Sequence, residues 1–275
     1  MALNTLAAVK TGLLPSRPWM KTAGSVANWQ GYSSPLLLAG QPGAWTPPTP
    51  GVAGQVMTGP VSGFLSLPNP VSGETKLARA TARNTNSLVG CLVLCDMLWC
   101  NSGLSATLTT SQTVNSVALP ARDHAESTNG DNVQAGLLVT SLMGAGTPTA
   151  TLGYTNSGGT AGRTGLNIPA IITTLSAGMI VPFGMNAGDQ GVRSIQSLQL
   201  SATMTSGAFS LIMYRELALL PAPPTTGDPG NAEVVDDIFT LTAAKIPNDH
   251  CLFVMARHAG NAQTAANTNF TFSQG

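Results

Sequence analysis

The sequence predicts an all-β protein, a β-sandwich body of jelly-roll-like kind behind a long extended N-terminal arm, and three observations carry that expectation. Gly 30 and Pro 19, with abundant Thr, Ser and Asn, form the composition that many short strands joined by turns require. Apolar and polar residues alternate along several runs after residue 88. Only 9% of residues are charged, against a usual ~25%. None of them lies between Thr22 and Gly73, a stretch that Pro35, Pro42, Pro47, Pro50, Pro60 and Pro68 interrupt too often for a helix.

Leu3, Leu6, Val9 and Leu13 recur at near-helical spacing, and Gly12 with Pro15 would end the turn, so a short helix is expected there. The charge-free stretch follows. Trp29, Tyr32, Leu37, Trp45 and Phe64 make it too apolar for a solvated linker. It is therefore expected to be an extended, turn-rich arm whose apolar side chains are buried by the body or by neighbouring copies, and to be the element of assembly through intersubunit contacts. Residues 1–80 are assigned to the arm and 81–275 to the body. Glu74 to Arg83, the one locally charged patch before the body, is expected to mark a boundary or a solvated strand edge.

Leu88 to Trp99 is nearly continuous in apolar residues and reads as a strand buried on both faces. Half-buried strands are expected around Leu104 to Leu108, Val114 to Leu119, Val133 to Val139 and Ala150 to Tyr154. Val192 to Met204 carries the clearest period of two, with Phe209 to Met213 as its expected hairpin partner after Thr205-Ser206-Gly207. Leu252 to Ala256 is a late strand, and Pro221 to Asn231 a loop by composition. Gly130-Asp131 and Gly188-Asp189 each precede a Val-led strand, as two related hairpins or two unrelated Gly-Asp turns would.

Lys+Arg 12 balances Asp+Glu 12, which gives no electrostatic handle on nucleic acid. No apolar run reaches the 18 residues that a bilayer span needs, and the amino terminus lacks the apolar core of a secretion signal, so cytoplasmic synthesis is expected. Cys91, Cys95, Cys100 and Cys251 lack disulfide-framework spacing and are expected to be free. With His124, His250 or His258 they could be imagined around zinc, but C-x3-C-x4-C has no tight knuckle, and buried Cys behaves as a small hydrophobe.

Gly158 to Thr164 departs twice from a phosphate-binding loop, with Ser157 in place of the first Gly and Arg163 in place of the Lys. Arg163 is the only charged residue between Asn132 and Gly188, and is expected to pair with a carboxylate or carbonyls at an interface. Asp123-His124 near Glu126 offers a base, yet no G-x-S-x-G elbow accompanies it. Asp236-Asp237 project to opposite sides of an extended chain, and Asp131 and Asp189 could contribute to calcium sites, yet Gly-Asp is also an ordinary turn pair. No catalytic residue, metal or cofactor is expected. The interface candidates are Trp29, Tyr32, Leu37, Trp45, Phe64 and Arg163.

ALPARD (118–123), GYTNSGGTAGRT (153–164) and GDQGVRSIQSLQLS (188–201) are the most recognisable pieces of the chain. In them it resembles virion structural proteins of tailed bacteriophages. The resemblance implies a particle protein that decorates or cements a capsid, with copies of itself as a homotrimer and the major capsid protein or other virion proteins as partners. It carries over no functional residue. Tail, baseplate or head-tail connector components and a carbohydrate-binding host-attachment module are the alternatives; the last would use Trp19, Trp29, Tyr32, Trp45, Tyr154 or Tyr214 as platforms.

Overall fold

The computed structural model describes residues 3, 5–21, 32–35, 37–48, 54–84, 89–114, 116–168, 171–221, 233–237, 244–258 and 266–275. The chain opens with helix α1 (Leu6–Thr11), then β1 (Arg17–Lys21), β2 (Ser33–Ser34), β3 (Gly40–Gln41), β4 (Gln55–Val56) and β5 (Thr75–Asn84). The long β6 (Val89–Ser105) leads to β7 (Gln112–Thr113), β8 (Gln134–Ser141), β9 (Ala150–Asn156), β10 (Arg163–Asn167) and β11 (Ile180–Gly184). Last come β12 (Val192–Leu200), β13 (Ala208–Pro221), β14 (Glu233–Asp237), β15 (Lys245–Ile246), β16 (Leu252–His258) and β17 (Ala266–Gln274).

These strands form two curled antiparallel sheets, an all-β, sandwich-like fold. The smaller has the order β14-β5-β17-β1-β3, with β15 also on β5. The larger runs β2-β16-β6-β13-β8-β11-β10-β9-β12-β7, with β4 on β6. Because Ser33 in β2 also stands opposite Ile180 in β11, the strands from β2 to β11 close on themselves.

Two cores result. One lies between the sheets, where Trp19, Leu77, Ala80, Phe270 and Phe272 meet Leu92, Leu94, Phe253 and Leu220. The other fills the curl of the larger sheet with Trp99, Leu137, Leu152, Tyr154, Ile195, Leu198, Leu211 and Met213. Strands β6 and β13 contribute to both, so residues 92–102 are buried without a break. That is the physical origin of the continuous apolar run in β6.

The helix forms where expected. Thr5 caps it, its Oγ1 accepting from the Ala8 amide at 3.1 Å, and Gly12 closes it. Of its apolar stripe, Leu3 and Val9 are buried with Ala8 and Ala78, whereas Leu6 and Leu13 face outward.

Several expectations are corrected. Glu74 to Arg83 is neither boundary nor edge: β5 lies between β17 and the pair β14 and β15. A bulge opposite Thr271 and Phe272 leaves Ala78 as an extra residue, so the buried set shifts from Leu77 to Ala80 and Ala82 and breaks the alternation. No strand separates Leu104 from β6 or occupies residues 116–119. β13 pairs with β6 and β8, while β12 pairs with β9 and β7, so the expected hairpin does not form. Bulges in β12 bring Ile195 to the core beside Val192 and Leu198. The loop expected at Pro221 to Asn231 lies almost wholly outside the described residues.

The described part of the arm lies along its own body. β1 pairs with β17, β4 with β6, and Leu65 bridges Leu252. Tyr32, Leu37, Met57, Phe64, Leu65 and Leu67 are buried in the two cores. The division at residue 80 runs through β5. Where its described side chains are buried against the apolar surface of the same chain, an ionised group would lose its hydration. Trp45 meets Phe64 edge-on at 5.4 Å, and Phe64 meets Phe253 at 6.2 Å. Lys21 anchors the entry to the arm: its Nζ donates to the carbonyls of Leu38 (3.0 Å), Gly43 (3.1 Å) and Pro42, and lies 4.5 Å from the centre of the Trp19 ring. Burial brings its pKa down to about 8.

Phe64→Ala should cost about 3–5 kcal/mol, since it empties a site between Trp45 and Phe253. Urea unfolding of the isolated protein measures this; a loss below about 1 kcal/mol, the scale of a surface change, would show that the arm is not part of the core.

Candidate functional site

Two ionic networks use Arg122, Asp123, Arg163 and Asp189 of the recognisable motifs, whereas Arg193 is exposed. The first is built around Arg122, which follows Pro120 in the turn between β7 and β8 and is only 4% exposed. Its Nη2 donates to the carbonyl of Met97 in β6 at 3.2 Å and to that of Met57 in the arm. Its Nη1 donates to the carbonyl of Asp249 before β16 and lies 3.5 Å from Asp96 Oδ1. One guanidinium thus joins four segments distant in sequence, a role its fixed fork of donors suits.

Asp96 is fully buried on β6 and accepts from the Cys251 amide at 2.8 Å. Burial raises its pKa, with the Arg122 charge opposing that rise. Arg215, on β13, donates from Nη1 to the Asp123 carbonyl at 2.6 Å, and burial lowers its pKa. Asp123 closes its own turn: its carboxylate accepts from the amides of Ser127 (2.6 Å), Gly130 (2.9 Å) and Asp131 (3.0 Å) and from Ser127 Oγ (2.7 Å). Burial works against ionisation here, but these donors outweigh it and hold the carboxyl below the usual range. A cleft of about 610 Å³ lies in front, lined by Arg122, Asp123, His124, Arg215, Lys245 and Asp249 among others.

The base suggested by Asp123-His124 and Glu126 is not assembled. Asp123 faces turn amides, His124 is exposed, and Glu126 pairs with Lys245. His250 is buried instead, its Nδ1–H donating to the Pro247 carbonyl at 2.8 Å, and burial lowers its pKa.

The second network centres on Asp189, in the turn before β12. Its carboxylate accepts from Arg163 Nε (2.9 Å) and Nη2 (3.0 Å), from Tyr154 Oη (2.5 Å) and from Asn156 Nδ2 (2.7 Å). These donors, Arg163 foremost, bring its pKa down to about 2. Arg163, expected at an interface, therefore has its carboxylate partner within the chain. The two Gly-Asp turns meet: the Asn132 amide donates to the Gln190 carbonyl (3.1 Å) and the Val192 amide to that of Val133 (3.0 Å). The turns do not lead two related hairpins, because β8 does not pair with β9 and β12 does not pair with β13.

All four cysteines are free. Burial pushes Cys100 and Cys251 up to about 12 and Cys91 and Cys95 upward too, so the thiolates a nucleophile or zinc site needs are disfavoured. No group of three or more His, Cys, Asp or Glu suited to a metal occurs among the described residues. No helix there is long and apolar enough to cross a membrane. Of the interface candidates, Tyr32, Leu37 and Phe64 are buried, Trp45 is partly buried, and Trp29 lies outside the described residues. Of the remaining aromatic platforms for a glycan, Trp19, Tyr154 and Tyr214 are buried. Comparison with protein families, with curated proteins and with solved structures finds no match for this chain.

Arg122→Met should destabilise by about 3–5 kcal/mol, because it leaves the buried Asp96 without its cation. Denaturant unfolding measures it; a change within about 0.5 kcal/mol, typical of a neutral surface site, would contradict the clamp. Asp189 has a depressed folded pKa, so its contribution to stability is complete above the unfolded value of about 4 and is lost as pH falls towards 2. Asp189→Asn should flatten that part of the stability profile between pH 4 and 2, read by thermal unfolding in a pH series; an unchanged slope would contradict the assignment.

Proposed function

We propose that the chain is a non-enzymatic structural protein of a tailed-phage virion that coats and stabilises the capsid as a decoration or cement protein. The observation that carries this reading is the use of four motif charges: the Asp123 carboxylate closes its own turn, while Arg122 and the Arg163–Asp189 pair join segments distant in sequence. Such an arrangement favours a rigid building block over a site that must cycle through protonation states. Its partners in this reading are further copies of the chain, as a homotrimer, and the major capsid protein or other virion proteins.

A neutral sheet surface supports the same reading. Leu166 and Ile168 on and just after β10 are 50% and 59% exposed. Leu166 stands opposite Thr151 in β9, which stands opposite Gln199 in β12, making an uncharged row across three strands. Association through such a row buries apolar area without desolvating charge.

The test is quantitative mass spectrometry of purified phage particles, with imaging of particles carrying labelled protein. The reading expects hundreds of copies over the head shell. About three, six or twelve copies at the tail would place it in a closed ring there and overturn the capsid assignment. Absence from particles would overturn the virion role altogether.

A further inference from the structure

Asn129-Gly130 is the only Asn-Gly pair in the sequence. It is the dipeptide most prone to spontaneous deamidation, because glycine offers its amide nitrogen with no side chain in the way. Here the glycine is imposed by the fold. Gly130 has φ +81°, and a Cβ at this position would come within 2.2 Å of the Val192 carbonyl oxygen, where the two Gly-Asp turns meet. Asn129 itself is exposed.

The reaction requires the Gly130 amide nitrogen to lose its proton and attack the Asn129 side-chain carbonyl carbon. The new N–C bond closes a succinimide as the C–NH2 bond breaks and ammonia leaves; water then opens the ring to Asp or isoAsp. In the folded protein that nitrogen is occupied. Its N–H donates to Asp123 Oδ2 at 2.9 Å, and the same carboxylate fixes Ser127 and Asp131 on either side. The backbone N–H of Asn129 donates in turn to Ser127 Oγ at 3.1 Å. An acceptor carrying negative charge opposes deprotonation of the amide it binds, and the five fixed contacts oppose the backbone rotation that ring closure needs.

We propose that Asn129 is a deamidation site guarded by the Asp123 carboxylate, so that its conversion reports opening of this turn. Reaction places a carboxylate at residue 129 between Asp123 and Asp131. Like charges there oppose reclosure, which makes each event weaken the turn that carries Arg122. The inference does not depend on the virion reading.

Purified full-length protein is incubated at mildly alkaline pH, folded and in concentrated urea, and peptide mass spectrometry follows Asp and isoAsp at residue 129. The folded chain should react at least about tenfold more slowly than the unfolded one, because reaction awaits local opening. Asp123→Ala, checked for retained β-sheet by circular dichroism, should bring the folded rate close to the unfolded rate, while Asp131→Ala leaves it slow. Equal rates in folded and unfolded wild type would overturn the proposal, and this comparison needs no variant to fold. A folded Asp123→Ala protein that deamidates as slowly as wild type would overturn it too, by showing that another contact is the guard.

Discussion

A strand that is apolar on both faces must be covered on both, and β6 sets that condition for the whole molecule. Its residues 92–102 are buried in succession, some in the core between the sheets and some in the core inside the larger one. The curl of the larger sheet covers one side. On the other, the smaller sheet covers part and the charge-free N-terminal stretch the rest, with β4 hydrogen-bonded to β6 and Leu65 to Leu252. Arg122 pairs several of the polar groups admitted to this region at once. Its guanidinium satisfies carbonyls from the arm, from β6 and from the approach to β16 while offsetting the buried charge of Asp96.

The strands that could be read from sequence were those whose burial follows the local residue pattern. Ala150, Leu152 and Tyr154 alternate in β9 as they alternate in the sequence, and the apolar run of β6 is continuous because burial is continuous. β5 was hidden because one extra residue, Ala78, reverses its parity halfway. β12 showed its period but not its partners, since two bulges move Ile195 to the core side and pairing falls to β9 rather than to the strand next in sequence. Pairing depends on which apolar faces meet in three dimensions, and local pattern carries no information about it.

The networks were legible in identity but not in role. ALPARD, GYTNSGGTAGRT and GDQGVRSIQSLQLS stood out, and Arg163 drew attention as a solitary charge. Its partner Asp189 lies 26 residues away, and Arg122 reaches carbonyls 65 and 127 residues away. Backbone acceptors have no sequence signature at all, so a clamp made mainly of carbonyls could not have been anticipated. The arm followed the same logic. Its lack of charge correctly signalled burial, but composition cannot tell whether the covering surface belongs to the same chain or another.

That distinction is the central claim, and amide hydrogen exchange on the isolated protein tests it most directly. The amides of Met57, Gly59 and Leu65 donate to the carbonyls of Leu98, Asp249 and Leu252. If the arm is integral to the fold, these amides exchange as slowly as those of β6 and β16, in the same cooperative unit and without any partner present. If the arm is an assembly element that docks only on a neighbour, all three exchange at rates close to those of an unfolded chain while β6 and β16 stay protected.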